Sequence, residues 1–360
     1  MLRQKQEPID GCPSDVYNMM VSAVFSMDRP GHSSRTLDAG PNRASIAKPI
    51  ELAAGDTVRE ALLQGLFSSV QHILANLDIV RQQICPEAVH QLRVAARRLR
   101  VLLSVFQKVL DRKERLYLSG ELKWLEQELG PAREWDVLIE EILTPRTQRE
   151  RLGQGNARLL ELANRHRTAA HEAARSAVQS RRLETLLQRF EQLLVLLAGE
   201  GESDAAYLPA DRSKQKKQLG QPVRRLARKT LQARHTKAQT LKKKILRLDD
   251  IELHQMRIQL RKLRYTAELF SSLWRQKKTR ETADRYISCL KKLQSVLGAV
   301  HDSAVAVRLM ESIRAEAGPE MERTIGGILA HIADGHKRDH LQLAGQWRQF
   351  TRITKFWEAE

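Results

Sequence analysis

A chain of 360 residues with 42% hydrophobic side chains can bury one large core or two medium ones. No run of about 18 apolar residues exists to span a membrane, and three cysteines, Cys12, Cys85 and Cys289, share no metal-ligand spacing. That usage predicts free thiols in a reducing, cytoplasmic compartment and excludes a disulfide scaffold, while a net charge of +18 calls for an anionic partner.

Residues 1–50 carry Gly-Cys-Pro, Arg-Pro-Gly-His-Ser-Ser and Gly-Pro-Asn with little helical periodicity. They read as a disordered or loosely packed leader. Its one apolar run, from Met19 to Phe25, is short and set apart from Arg3 and Lys5, so no secretory signal is expected.

Beyond it, Leu, Ala, Arg, Gln, Glu and Lys recur with a 3.6-residue period and no run of alternating β-branched residues competes, which predicts an all-α protein. Helices are expected over 56–84, 86–110, 113–129, 134–143 and 147–198, the last with an internal break. The segment 199–220, with Gly-Glu-Gly, Leu-Pro-Ala and Leu-Gly, reads as a linker. Pro222 suits a first helical turn, and a helix is expected from there to about residue 248.

That region is strongly basic. From Arg212 to Arg247 there are 14 Lys or Arg and no Asp or Glu. On a helical wheel Arg224, Arg225, Arg228, Lys229, His235, Lys242, Lys243 and Arg247 share an arc of about 140°, with Leu226, Leu241, Ile245 and Leu248 opposite. The block is either a nonspecific basic surface or, standing just before the second motif described next, a contributor to the same site through Arg224 and Arg228.

The pattern His-x-x-Arg-x-x-x-Arg-Arg/Lys-Leu-Arg occurs twice, as HQLRVAARRLR from His90 and as HQMRIQLRKLR from His254. On a helix His90, Arg93, Arg97 and Arg100 share an arc of about 80°, and His254, Arg257, Arg261 and Arg264 repeat it. Leu92, Ala95, Ala96, Leu99, Leu102, Leu103 and Phe106 form an apolar stripe on the flank. The similarity continues downstream, where Leu122, Lys123, Leu125, Leu129 and Gly130 align with Leu290, Lys291, Leu293, Leu297 and Gly298. Helix, turn, helix, glycine stop and helix recur in order, which predicts two similar helical halves, 51–198 and 221–345, followed by a tail over 346–360.

Arginine presents a planar fork of donors that matches phosphate oxygens. Cations on successive turns, about 5 Å apart, suit a chain of phosphates better than one small anion. If the two motif helices face each other, their cationic faces line one channel, with Lys123 and Lys291 near its walls or snorkelling as structural lysines. Each histidine either bonds phosphate or plays a supporting part, orienting an arginine or capping a backbone group. A nucleic acid is the alternative partner, but aromatics are 5% of residues and none stands in the cationic arcs to stack on bases.

Catalytic machinery is not legible. There is no phosphate loop, no Gly-x-Gly-x-x-Gly and no His-Glu-x-x-His. Glu134, Asp136 and Asp302 read as partners for arginines or helix N-termini. His336 and His340, with His331, Asp334 and Asp339 nearby, read as an ordinary polar helix rather than a metal site. No cofactor and no enzymatic activity are expected.

The paired motifs, each followed by a leucine-rich helix ending in Leu-Gly, resemble the CHAD family, a helical domain named for its histidines. The likeness runs over about 54–343. It implies a helical bundle of two pseudo-symmetric halves around a basic central cavity that binds inorganic polyphosphate, and association with polyphosphate granules. By motif position His90, Arg93, Arg97, Arg98, Arg100, His254, Arg257, Arg261, Lys262 and Arg264 would line that cavity. Where the family commonly has Arg-Asp after the glycine, the first copy keeps Arg133 ahead of Glu134, and the second has His301 ahead of Asp302, which weakens the case for a phosphate contact there. Relatives often carry a triphosphatase domain marked by Glu-x-Glu-x-Lys. That motif is absent from this sequence, so triphosphatase activity is not expected.

Overall fold

The structure, a computed structural model, describes residues 43–145, 154–198, 212–240 and 250–358. Most of the expected leader and linker, the end of the basic block at 241–249, and the side chains of His336, Asp339 and His340 lie outside the described residues.

The fold is an all-α bundle of two pseudo-symmetric halves around a basic central cavity. The first half opens with α1 (Val58–Gln82), whose start is fixed by a capping box: Thr57 Oγ1 accepts from Glu60 N–H, and the Glu60 carboxylate accepts from Thr57 N–H at 2.6 Å. Next comes α2 (Pro86–Val105), the first motif helix, with proline in its first turn. It lies close against α1, since a Cβ on Gly65 would stand 2.6 Å from Leu102 Cδ1. The third helix, α3 (Arg112–Glu128), is capped by Asp111, which accepts from the N–H groups of Lys113 and Glu114.

At Gly130 the chain restarts as α4 (Gly130–Val137), which runs on through one π-helical stretch (Leu138–Leu143). Helices α5 (Gln154–Val178) and α6 (Arg181–Ala198) follow, separated by the break expected within 147–198. The expected linker is partly helical: α7 (Arg212–Leu219) seats Gln215 against the main core, where its Nε2 donates to the Val109 carbonyl at 2.8 Å.

The second half repeats the plan with α8 (Val223–Gln239), the second motif helix α9 (Asp250–Phe270), α10 (Lys277–Ile313) and α11 (Pro319–Arg352). The halves meet at equivalent points. Val58 N–H donates to the Gln221 carbonyl and Val223 N–H to the Asp56 carbonyl, both at 2.9 Å, so the starts of α1 and α8 exchange reciprocal bonds.

The expected glycine stop holds in the first half and fails in the second. Pro131 follows Gly130 and has no N–H for the helical ladder, so the chain breaks there. Ala299 follows Gly298, and α10 runs straight through as 37 residues.

Leu92, Ala95, Ala96, Leu99, Leu102, Leu103 and Phe106 are all buried, as the wheel requires. They join one large core shared by both halves. A second core packs α4 and its π-helical end against α5, α11 and the end of α10 through Trp135, Leu138, Leu162, Met310, Ile313 and Ile325.

Two boundary segments are packed. Within the expected leader, residues 43–50 run over α1: Ser45 N–H donates to Asn76 Oδ1 at 3.0 Å, His72 Nε2 reaches the Ser45 carbonyl, and Ile50 is buried. The segment set apart as a tail, 346–360, puts Trp347, Phe350, Phe356 and Trp357 into the main core around Tyr286 and His235. Aromatics of that size bury too much apolar area to be left in solvent. Cys85 and Cys289 are free thiols, and no described helix is long and apolar enough to cross a membrane.

Gly155 lies where α5 meets the start of α11, and a Cβ there would sit 2.9 Å from the Glu320 carbonyl oxygen. Gly155→Ala is therefore expected to destabilise by about 1–3 kcal/mol, because backbone cannot give way as a side chain can. Gly120, with nothing near its Cβ position, is the control: Gly120→Ala is expected to leave the melting temperature equal or higher. Thermal unfolding of the two variants checks the pair.

Candidate functional site

The motif helices α2 and α9, with α3, α4 and α10, enclose a cleft of about 1100 Å³. From α2 come His90, Arg93, Arg97, Arg100 and Ser104. From α3 come Arg115, Ser119, Lys123 and Glu126, and from α4 Arg133 and Glu134. The facing wall is His254, Gln255, Arg257, Arg261 and Lys262 of α9 with His301, Asp302 and Arg308 of α10. Ten Lys or Arg thus line the cleft against three carboxylates, and no Phe, Tyr or Trp is among the lining residues.

Ten of the fifteen side chains expected at the site line this cleft: His90, Arg93, Arg97, Arg100, Lys123, Arg133, His254, Arg257, Arg261 and Lys262. Five do not. Arg98 and Arg264, one from each motif, instead approach the ring of buried Tyr265 on α9, at 5.9 and 4.6 Å, and the Arg98 contact fastens α2 to α9. Arg264 also pairs with Glu268 at 3.5 Å. Arg224 lies over Trp274 at 5.7 Å, Arg228 is on the exposed face of α8, and Lys291 is exposed on α10 away from the cleft.

The two motif faces are not presented alike. Arg100 lines the cleft while its counterpart Arg264 does not, and Lys262 lines it while its counterpart Arg98 does not. On the wheel the lining side chains of α9 centre about 60° away from those of α2. The second helix is rolled about its own axis relative to the first.

Several lining or supporting residues carry no motif signal. Glu126 Oε2 accepts from Arg97 Nε at 3.0 Å and Oε1 from Arg100 Nη1 at 2.7 Å, while the Glu126 carbonyl accepts from Arg93 Nη1 at 2.7 Å. Arg234 of α8 bonds the Lys262 carbonyl, Thr266 Oγ1 and, at 2.6 Å, Ser104 Oγ beneath the cleft. Arg234 is not among the residues of the cationic arc, whereas His235 is. In fact His235 is buried, its Nδ1 2.8 Å from Tyr286 Oη. Arg308 reaches Glu134, and His301 stacks on His254 with ring centroids 6.0 Å apart, so the histidine that replaces arginine in the second copy does face the cleft.

Of the carboxylates read as partners for arginines or helix N-termini, Glu134 and Asp136 do bond arginines, while Asp302 pairs with a histidine. Glu134 bonds Arg308, and Asp302 lies 3.2 Å from His301 Nδ1. Asp136 is fully buried away from the cleft, where its Oδ1 accepts from Arg167 Nε at 2.8 Å and contacts His171 Nε2 at 2.9 Å. Gln91 is engaged elsewhere too, 3.1 Å from His72 and bonded to Glu87.

Crowded like charges leave an electrostatic signature. Burial and the neighbouring Arg97 push the Arg93 guanidinium down to about 9, still cationic at neutral pH. Burial and then adjacent arginines push Arg261 down as well. Arg257 is lowered chiefly by burial, and Lys262 by burial and Arg234. His90 is held below the usual histidine range by burial and Arg133, and His254 by burial and His301. The Nε atoms of Arg93, Arg100 and Arg115 are buried without a hydrogen-bond partner. The cleft therefore holds more desolvated positive charge than its own carboxylates neutralise.

Fold and cleft together define an all-α domain whose duplicated basic helices wall an anion-accepting groove. The CHAD domain description matches residues 64–311, and the chain belongs to the CHAD domain family. The family is known in general as polyphosphate-binding. Two uncharacterized proteins, MT2285 and Rv2226, from two strains of Mycobacterium tuberculosis are each 26% identical over 277 residues, which is 75% of this chain and 49% of theirs. The chain thus spans about half the length of those curated relatives. Among solved structures, the CHAD domain from the plant Ricinus communis superposes with a TM-score of 0.64 at 24% identity, covering 84% of this chain and 96% of that one. PptA from Streptomyces chartreusis gives 0.56 at 22% identity, covering 81% and 100%.

Proposed function

We propose that this chain binds inorganic polyphosphate in the cleft between α2 and α9 and acts as a non-enzymatic binding or granule-targeting module in the cytoplasm. The observation that carries this reading is the charge imbalance of the lining, ten cations against three carboxylates. Arg93, Arg257, Arg261 and Lys262 make no ion pair among the described residues, although burial and mutual repulsion strain each of them. A linear polyanion supplies the missing charge along the whole groove, where one small anion would serve a single turn.

The lining carboxylates are already engaged by Arg97, Arg100, Arg308 and His301. That supports holding phosphates over cleaving them. The lack of aromatic lining favours polyphosphate over single-stranded nucleic acid, which binds by stacking on aromatic side chains. Long-chain polyphosphate titrated at several salt concentrations is expected to bind saturably, with log affinity falling linearly in log salt at about 0.7 per phosphate engaged. RNA and DNA at matched charge concentration are expected to compete poorly. Equal displacement by either nucleic acid, or phosphate release from the polymer with magnesium present, overturns the reading.

A further inference from the structure

The two walls of the cleft are electrostatically unequal. On α2, Arg97 and Arg100 are both bonded to the Glu126 carboxylate, whose side chain is 12% exposed, and Arg93 is bonded to the carbonyl of the same residue. The aligned repeats place Gln294 where the first half has Glu126. Accordingly Arg257 and Arg261, the counterparts of Arg93 and Arg97, make no ion pair among the described residues, and Gln294 Nε2 is buried with no partner of its own. One wall is partly neutralised from within. The other is open.

A carboxylate and a phosphate compete for the same guanidinium donors, since both accept charge-assisted hydrogen bonds in the same planar geometry. From this we infer that Glu126 is a resident competitor that blunts the preference of the cleft for long chains. A short oligophosphate settles on Arg257, Arg261 and Lys262, where nothing must be displaced. A long chain also reaches α2, and there its phosphates exchange with the Glu126 carboxylate at Arg97 and Arg100. Glu126 thus lowers the return from each added phosphate once the open wall is filled. The inference rests on the polyphosphate reading and adds a specificity-determining residue to it.

The test measures affinity for tripolyphosphate and for long-chain polyphosphate in the parent, Glu126→Gln and Glu126→Asp, each at several salt concentrations. Glu126→Gln is expected to raise the ratio of long-chain to tripolyphosphate affinity about tenfold and to steepen the long-chain salt slope by roughly one phosphate contact. Glu126→Asp, too short to reach both arginines, is expected to raise the ratio by less. A ratio unchanged in Glu126→Gln, or long-chain binding weakened by it, overturns the inference, the latter by showing that Glu126 only positions the arginines. A parent that binds neither ligand overturns the polyphosphate reading itself, which separates the two failures.

Discussion

Changing Arg93, Arg97, Arg257 and Arg261 together to glutamine is expected to weaken long-chain polyphosphate binding about a thousandfold and leave the fold intact. Two of these cations stand on each wall, and all four line the cleft. Hydrogen bonds to charged groups contribute about 1.5–3 kcal/mol each in protected settings. In an open cleft about 1 kcal/mol per residue is the sounder figure, and four such losses amount to roughly three orders of magnitude. The salt slope is expected to become shallower by about 3, because four charges no longer release counterions.

Stability is expected to move the other way. Arg93, Arg257 and Arg261 are desolvated and repel their neighbours, with Arg93 pushed down to about 9. Neutral side chains relieve that repulsion, so the unliganded variant should melt at the same temperature as the parent or above it. Isothermal titration beside thermal unfolding checks both halves. A variant that binds as tightly as the parent at the same salt removes the cleft from consideration.

The sequence made some of this legible, for reasons that single residues illustrate. A helical wheel gives each side chain's bearing on its own helix, so the buried stripe from Leu92 to Phe106 and the shared face of His90, Arg93, Arg97 and Arg100 could be read directly. It does not give the roll of that helix against its neighbours. The exchange of roles between Arg98 and Lys262, and between Arg100 and Arg264, depends on that roll. Glu126 and Arg234 act across helices from positions that the motif does not repeat, so periodicity carried no sign of them. Gly298 failed as a stop because the effective breaker in the first half is Pro131, which the second half lacks. The tail was underestimated because its boundary cut a stripe that runs on through Leu343, Trp347 and Phe350 of α11, while Phe356 and Trp357 lie past that helix and bury only when Tyr286 is brought to them.

Affinity for polyphosphate is expected to rise by about ten- to fortyfold between pH 7.5 and pH 5.5, with His90 and His254 as its source. His90 faces Glu87, Arg93 and Arg97 on α2 and Arg133 on α4, and burial together with these cations holds its pKa below the usual range. His254 faces Arg257 and Arg261 on α9 and His301 on α10, and is lowered in the same direction. Both are therefore neutral in the unliganded protein at pH 7.5. A bound polyanion reverses the local potential and raises both pKa values, so binding takes up protons. The gain grows as pH falls through the bound-state pKa values and saturates below the free-state ones. A rise of one unit in each histidine supplies up to about fortyfold within this window, and the full hundredfold only below the free-state pKa values.

Without ligand the sign is opposite: an unfolded histidine accepts a proton near pH 6.5 that the folded one refuses, so the free protein loses stability as pH falls below that point. Ligand-induced stabilisation should therefore increase toward acid. Interior phosphates keep one charge each across this window, so the protein carries the change. The His90→Gln and His254→Gln variants separate the two roles open to these side chains. If each ring meets phosphate, each variant flattens part of the pH profile. If the rings only orient arginines, the variants weaken binding at every pH and the profile keeps its shape.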